Sequence, residues 1–263
     1  MALIQNKAAT FGSGAVIGAL GGLIGLGGAE FRLPLLIGIF GFRALDAVIL
    51  NKAMSLVVVS TALPFRAAAI PFSDVISHWS VILNLLAGSL IGAWFGAGWA
   101  MRLRSETLHK VIAVLLVLIA AVLVIGHQPG GGGYSVFSGP AQVIAGVAAG
   151  FVIGVVASLL GVAGGELLIP TLILLFGIDV KLAGSLSLAI SLPTMIVGFT
   201  RYSRDSTFAV LGRNSAFLLV MSAGSIVGTF IGGRLLGLVP ETVLLPLLAV
   251  ILIISAVKVW RHK

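Results

Sequence analysis

Cysteine is absent from the chain, so disulfides, thiolate metal sites and cysteine nucleophiles are excluded. Charge is scarce as well: 9% of residues are Asp, Glu, Lys or Arg, where a soluble domain carries about a quarter. The four histidines, His78, His109, His127 and His262, fall near the ends of apolar runs without ligand spacing, and no His or paired-Asp constellation stands inside those runs. Neither an enzyme nor a bound cofactor is expected. A phosphate loop is missing too, because the Gly-rich GLGGAE at 25–30 lacks the Gly-Lys-Ser/Thr ending, so a nucleotide is not a partner and the chain alone cannot be ATP-driven.

What is present is hydrophobic sequence: 59% of residues, with a mean hydropathy of +1.20. Stretches without a charged residue cover 8–29, 75–101, 111–165, 182–200 and 214–233, several of them at or beyond the ~18–20 residues that a helix needs to cross a bilayer. They are continuously apolar and do not alternate, which predicts an all-α integral membrane protein rather than a barrel. The net charge of +8 does not point to nucleic acid, since the basic residues stand singly or in pairs at the ends of apolar runs, as membrane anchors do. The first run, with Lys7 before it, has the form of a signal peptide, but it is echoed at 141–160, where no cleavage could act.

That echo extends over most of the chain. At an offset of 136 residues Gly14 meets Gly150, Glu30 meets Glu166, Pro34 meets Pro170, Ser55 meets Ser191, and Gly88, Ser89, Gly92 and Gly96 meet Gly224, Ser225, Gly228 and Gly232. The expected organisation is a first repeat over 1–126, a Gly-rich linker over 127–140 and a second repeat over 141–263, forming one membrane domain. Each repeat reads as five segments: 8–24, 33–41, 46–65, 77–100 and 108–125, then 141–160, 168–177, 182–200, 213–235 and 242–259. The second in each set is long enough for only half the bilayer. If every segment changes side and the amino terminus is cytoplasmic, twelve of the sixteen Lys and Arg residues fall inside. This split predicts two cytoplasmic termini and repeats inverted relative to each other.

Glycines four residues apart, such as Gly14, Gly18 and Gly22, predict close helix packing. The stretches GLGGAEFRLP (25–34) and GVAGGELLIP (161–170) predict something else, a helix broken at glycine and resumed at proline. Backbone freed at membrane depth has to line a cavity or be buried in protein, and helix amino ends attract anions. The candidate substrate contacts are the backbone of Gly27, Gly28, Ala29, Gly164 and Gly165, with Asn51, Ser55, Ser187 and Ser191 on the helices that follow. Glu30 and Glu166 are candidates for proton coupling or gating; the structural alternative has each capping its own broken helix. Arg32, which has Leu168 as its counterpart, either pairs with Glu30 or meets an anion. Lys52 is expected to snorkel to the interface.

GLGGAEFRLPLL (25–36) and GVAGGELLIPTL (161–172), each followed by a Phe-Gly stop and a helix containing Ala and Ser, resemble the TauE/SafE sulfite exporter family, also called the toluene sulfonate uptake permease family. The resemblance implies a multi-pass transporter of the bacterial inner membrane for small anions such as sulfite, organosulfonates or sulfoacetate. The chain departs from the family in placing glutamate after the Gly cluster, where an apolar residue is usual. The implied partners are a small anion and the lipid bilayer. The apolar outer helix faces leave a homo-oligomer open. An anion channel using the same pocket and an assembly factor for a larger membrane complex are the competing readings.

Overall fold

In a computed structural model, residues 6–24, 28–67, 71–125 and 138–235, together with Val250, Ile253 and Val257, are described. The helices are α1 (Lys7–Ile24), α2 (Ala29–Gly38), α3 (Ala44–Ala67), α4 (Phe72–Ser77), α5 (Trp79–Arg102), α6 (Ser105–Ile125), α7 (Pro140–Leu160), α8 (Gly165–Phe176), α9 (Val180–Tyr202), α10 (Val210–Arg213, preceded by a 3-10 turn at Ser206–Ala209) and α11 (Ser215–Leu235). No strand occurs among the described residues. Windows within α3, α5, α7, α9 and α11 are long and apolar enough to cross a membrane, and α8 is a shorter apolar helix. The linker residues 127–137 and most of the tenth predicted segment, 242–259, lie outside the described residues.

The nine predicted segments that fall within the described residues reappear with two additions and one correction. Short helical turns that the hydropathy pattern does not mark precede α5 and α11. The correction concerns the half-length helices, which start at Ala29 and Gly165 rather than at the prolines. Gly28 (φ 71°) and Gly164 (φ 83°) take the left-handed conformation that turns the chain into each helix. Pro34 and Pro170 therefore sit inside their helices. Lacking an amide proton, each leaves the carbonyl four residues earlier, that of Glu30 or Glu166, without its helical donor. Each glutamate thus stands in the first turn of a helix that its own proline loosens.

Two helix pairs dominate the packing, α1 with α11 and α5 with α7. A Cβ on Gly14 would strike the carbonyl of Met221 and one on Gly18 that of Ser225; in the other pair Gly150 faces Leu85 and Gly154 faces Ser89 in the same way. The converse contacts follow, with Gly224, Gly228 and Gly232 against Phe11, Ala15 and Ala19, and Gly88, Gly92 and Gly96 against Val147, Phe151 and Val155. Each of these contacts in one interface recurs 136 residues on in the other. Residue numbers rise together along both partners, so the helices of each pair run parallel. Only glycine allows backbones this close, which lets dispersion and Cα–H contacts replace the hydrophobic drive that lipid cannot supply.

α3 and α9 pass through the middle, with Ala44, Ala47, Val48, Ile49, Leu50, Met54, Leu186 and Ile190 fully or almost fully buried. Phe40 and Phe42, at the end of α2, pack their rings against Phe217 of α11 at 4.9 and 5.4 Å. An ion pair marks the start of α3: Arg43 Nε lies 2.9 Å from Asp46 Oδ2, and this contact raises the pKa of the Arg43 guanidinium. Asp46 in the first turn also suits the positive end of the helix.

Candidate functional site

Two chain breaks, one from each half, meet in the buried centre. α7 ends at Gly161, whose positive φ of 66° closes the helix with its amide on Ala157 and Ser158 carbonyls. A Cβ on Gly161 would collide with the Val48 carbonyl of α3, and one on Gly28 with the Ile17 carbonyl of α1. Both breaks are therefore packed against backbone, as irregular chain at membrane depth has to be. Asn51 of α3 ties them together. Its Nδ2 donates to the Ala29 carbonyl at 3.0 Å and to the Leu160 carbonyl at 3.2 Å.

Arg32 lies one turn into α2 and is completely buried. Its guanidinium does not pair with Glu30. One terminal nitrogen donates to Asn51 Oδ1 at 3.4 Å and to Ser55 Oγ at 3.2 Å, and the other donates to Ser225 Oγ of α11 at 3.2 Å. A guanidinium carries five N–H donors, and Nε is buried here without an acceptor. The group is held on its neutral side by residues of α3 and α11, and it keeps spare donor capacity.

Glu30 and Glu166 are each only 1% exposed. Their carboxyl groups lie near one another. None of the four carboxyl oxygens makes a well-formed hydrogen bond, and the residues at the N-cap positions of α2 and α8, Gly28 and Gly164, have no side chain to offer. Each carboxyl also lies near its own backbone amide in the first turn of its helix, so the capping role and the proton-coupling role both keep a structural basis. Two buried carboxyls brought together resemble sites in which like charges cannot both ionise.

A family model described as sulfite exporter TauE/SafE matches residues 5–259, nearly the whole chain. The chain belongs to the TauE/SafE family. No curated protein and no solved structure matches it.

In this TauE/SafE chain the predicted residues divide into two groups. Gly28, Ala29, Glu30, Arg32, Asn51 and Ser55 form one connected set, with Glu166 and Gly165 opposite at the start of α8. Gly164 supplies the second turn, and Gly27 lies outside the described residues. On α9 the hydroxyl of Ser187 donates to its own preceding turn, at Gly184, 2.9 Å away, the usual habit of serine in a membrane helix. Ser191 and Ser185 are buried with no hydrogen-bond partner. The structure bonds none of these three to the arginine cluster.

Lys52 is a correction. It does not snorkel to an interface but is fully buried between α3, α7 and α9. Nζ reaches Ser158 Oγ at 3.4 Å and the Ala157 carbonyl at 3.5 Å. The physical reason is a vacancy beside it: a Cβ on Gly198 would lie 2.8 Å from Lys52 Cε, so glycine opens the space that the lysine fills. The Tyr202 hydroxyl donates to the Ser158 carbonyl at 2.8 Å, behind the same turn. Sequence reasoning passed over Ser225 and Ser158. For Ser225 a signal existed, a hydroxyl inside a stripe of glycines. Ser158 carries no local mark, and only the packing of α7 against α3 reveals it.

Proposed function

We propose that the chain is a secondary transporter of small sulfur-containing or organic anions, of the sulfite, organosulfonate or sulfoacetate class. The observation that carries this reading is Arg32, a wholly buried guanidinium that makes no ion pair with any described carboxylate and retains an unused donor. Burying such a charge is costly unless an anion completes it. The amino ends of α2 and α8, each opened by a left-handed glycine, add partial positive charge at the same place.

Transport would proceed by alternating access between inverted repeats. Support for inversion comes from helix direction. Ser89 of α5 bonds Thr194 of α9 at 2.8 Å, and further along Gly98 meets Arg201, so α5 and α9 run parallel. α3 and α5 are successive long helices in one half, while α9 is the counterpart of α3 in the other. If α3 and α5 cross the membrane in opposite senses, as successive spans do, counterparts run in opposite directions. Arg32, Glu30 and Glu166 are all at most 1% exposed, as suits an occluded intermediate between the two open forms.

Glu30 and Glu166 would hold the coupling proton. The buried centre contains two carboxyls and two cations, Arg32 and Lys52. One proton on the carboxyl pair relieves the like-charge contact and leaves one positive charge in excess. An arriving monovalent anion cancels that excess, so anion and proton favour each other's binding. Under this reading the membrane is the bacterial inner membrane and both termini are cytoplasmic. Moving Arg32 and Lys52 from the loop count to the interior leaves the positive-inside bias pointing the same way.

Counterflow of labelled sulfite into proteoliposomes tests the proposal. Wild-type protein should exchange the label, and Arg32→Gln should not; single-channel currents in a planar bilayer would instead make the chain a channel.

A further inference from the structure

Away from the centre, a cavity of about 480 Å³ opens on the outer surface between α5, α7 and the end of α9. Its walls are of two kinds. Phe95, Trp99 and Val152 form a strongly exposed apolar strip, while Arg102, the last residue of α5, and Arg201, in the last turn of α9, close one end. The guanidinium carbons of Arg201 and Arg204 lie 4.8 and 4.9 Å from the ring centroid of Trp94. Arg201 Nε is buried and has no hydrogen-bond acceptor. Gly98 lies beside it, since a Cβ there would sit in ordinary contact, 3.5 Å from that nitrogen.

Arg102 and Arg201 thus line the mouth, Arg204 adjoins it at the Trp94 ring, and none of the three forms an ion pair with a described carboxylate. The acidic residue next in sequence, Asp205, is turned away to accept from the Thr207 amide at 2.8 Å. Both guanidiniums are held at the Trp94 ring. Guanidinium edges match the oxygens of a phosphate. The apolar strip that leads from them runs along the membrane-facing side of α5 and α7, where an acyl chain can lie.

We propose that this groove is a binding site for an acidic phospholipid, with the headgroup phosphate on Arg102, Arg201 and Arg204 and an acyl chain against Phe95, Trp99 and Val152. The occupant is a lipid rather than a soluble anion because the arginines close only one end of a groove whose remaining wall is apolar. The site is separate from the Arg32 centre and does not rest on the transport reading.

Tryptophan quenching tests it. The chain has four tryptophans, and Trp79→Phe with Trp260→Phe leaves Trp94 and Trp99 as the emitters. This variant would be placed in phosphatidylcholine vesicles containing a small fraction of chain-brominated phosphatidylglycerol or chain-brominated phosphatidylcholine. The proposal predicts several-fold stronger quenching by the acidic lipid, reduced to the phosphatidylcholine level by Arg201→Gln combined with Arg204→Gln. Arg104→Gln, a charge change at the same helix end outside the cavity lining, should leave the preference intact. Should the double variant fail to fold, Arg204→Gln alone, at an exposed position, should still lower the preference. Equal quenching by the two lipids overturns the proposal. So does a preference that added inorganic phosphate abolishes, since the site would then bind the free anion.

Discussion

At the scale of single residues, the chemistry concentrates on Arg32, Asn51, Glu30 and Glu166. Arg32 reaches Asn51, Ser55 and Ser225 at once because its guanidinium is forked. Arg32→Lys keeps the charge but replaces two separated terminal nitrogens, which reach α3 and α11, with one point donor, so sulfite binding measured by calorimetry should weaken by about tenfold or more, at a cost of about 1.4 kcal/mol per factor of ten. Unchanged affinity would remove Arg32 from the anion site. Asn51→Ala deprives the Ala29 and Leu160 carbonyls of their donor and should lower stability by about 1–3 kcal/mol, read as a drop in thermal unfolding temperature. The importance of these residues was legible because a charged or amide side chain within apolar sequence needs a reason. Their partners were less so. Glu30 and Arg32, two positions apart on one helix, suggest an ion pair, yet residues two apart point to different faces, and Arg32 turns instead to α3 and α11. Lys52 misled for a related reason: a lysine near a helix start normally reaches water, and here Gly198 on a distant helix provides an interior space.

At the scale of helices, the glycine stripes set how the two halves interlock. Gly18 and Gly154 are equivalent by sequence and press on the Ser225 and Ser89 carbonyls respectively. Gly18→Ala and Gly154→Ala should each destabilise the protein by about 1–3 kcal/mol through overpacking, and to a similar extent, because their surroundings correspond. Gly12→Ala is the control, since nothing lies within 4 Å of a Cβ there; a helix that gains alanine in open space should be as stable or slightly more so. A similar loss at Gly12 in thermal melts would contradict the packing account. The stripes were legible as packing faces from their four-residue spacing alone, but not which helices they join, because spacing carries no information about a partner that lies far away along the chain. The half-length helices were legible from the glycine clusters and their prolines. Their starting points were not, because proline at a first helical turn is the commoner arrangement, and here left-handed Gly28 and Gly164 start each helix five residues before it.

At the scale of the whole molecule, the proposal rests on two inverted halves enclosing one charged, water-excluded centre. The topology has its own test, made simple by the absence of native cysteine. Ser73 and Ser206 lie in corresponding connections, after α3 and after α9, and both are exposed. With Ser73→Cys or Ser206→Cys in intact cells, an impermeant maleimide should label the first from outside and leave the second protected until the membrane is opened. Labelling of both from the same side would mean parallel repeats. The duplication itself was legible from the 136-residue register, whereas the closing of two breaks around neighbouring carboxyls depends on contacts between the halves that neither half announces. The central claim is that those carboxyls couple an anion to a proton. Sulfite and sulfoacetate uptake into proteoliposomes, with and without an imposed pH gradient, tests it most directly in wild type, Glu30→Gln and Glu166→Gln. The account predicts uptake driven by the gradient in wild type and loss of that drive in both variants; gradient-driven uptake that persists unchanged in both would contradict it.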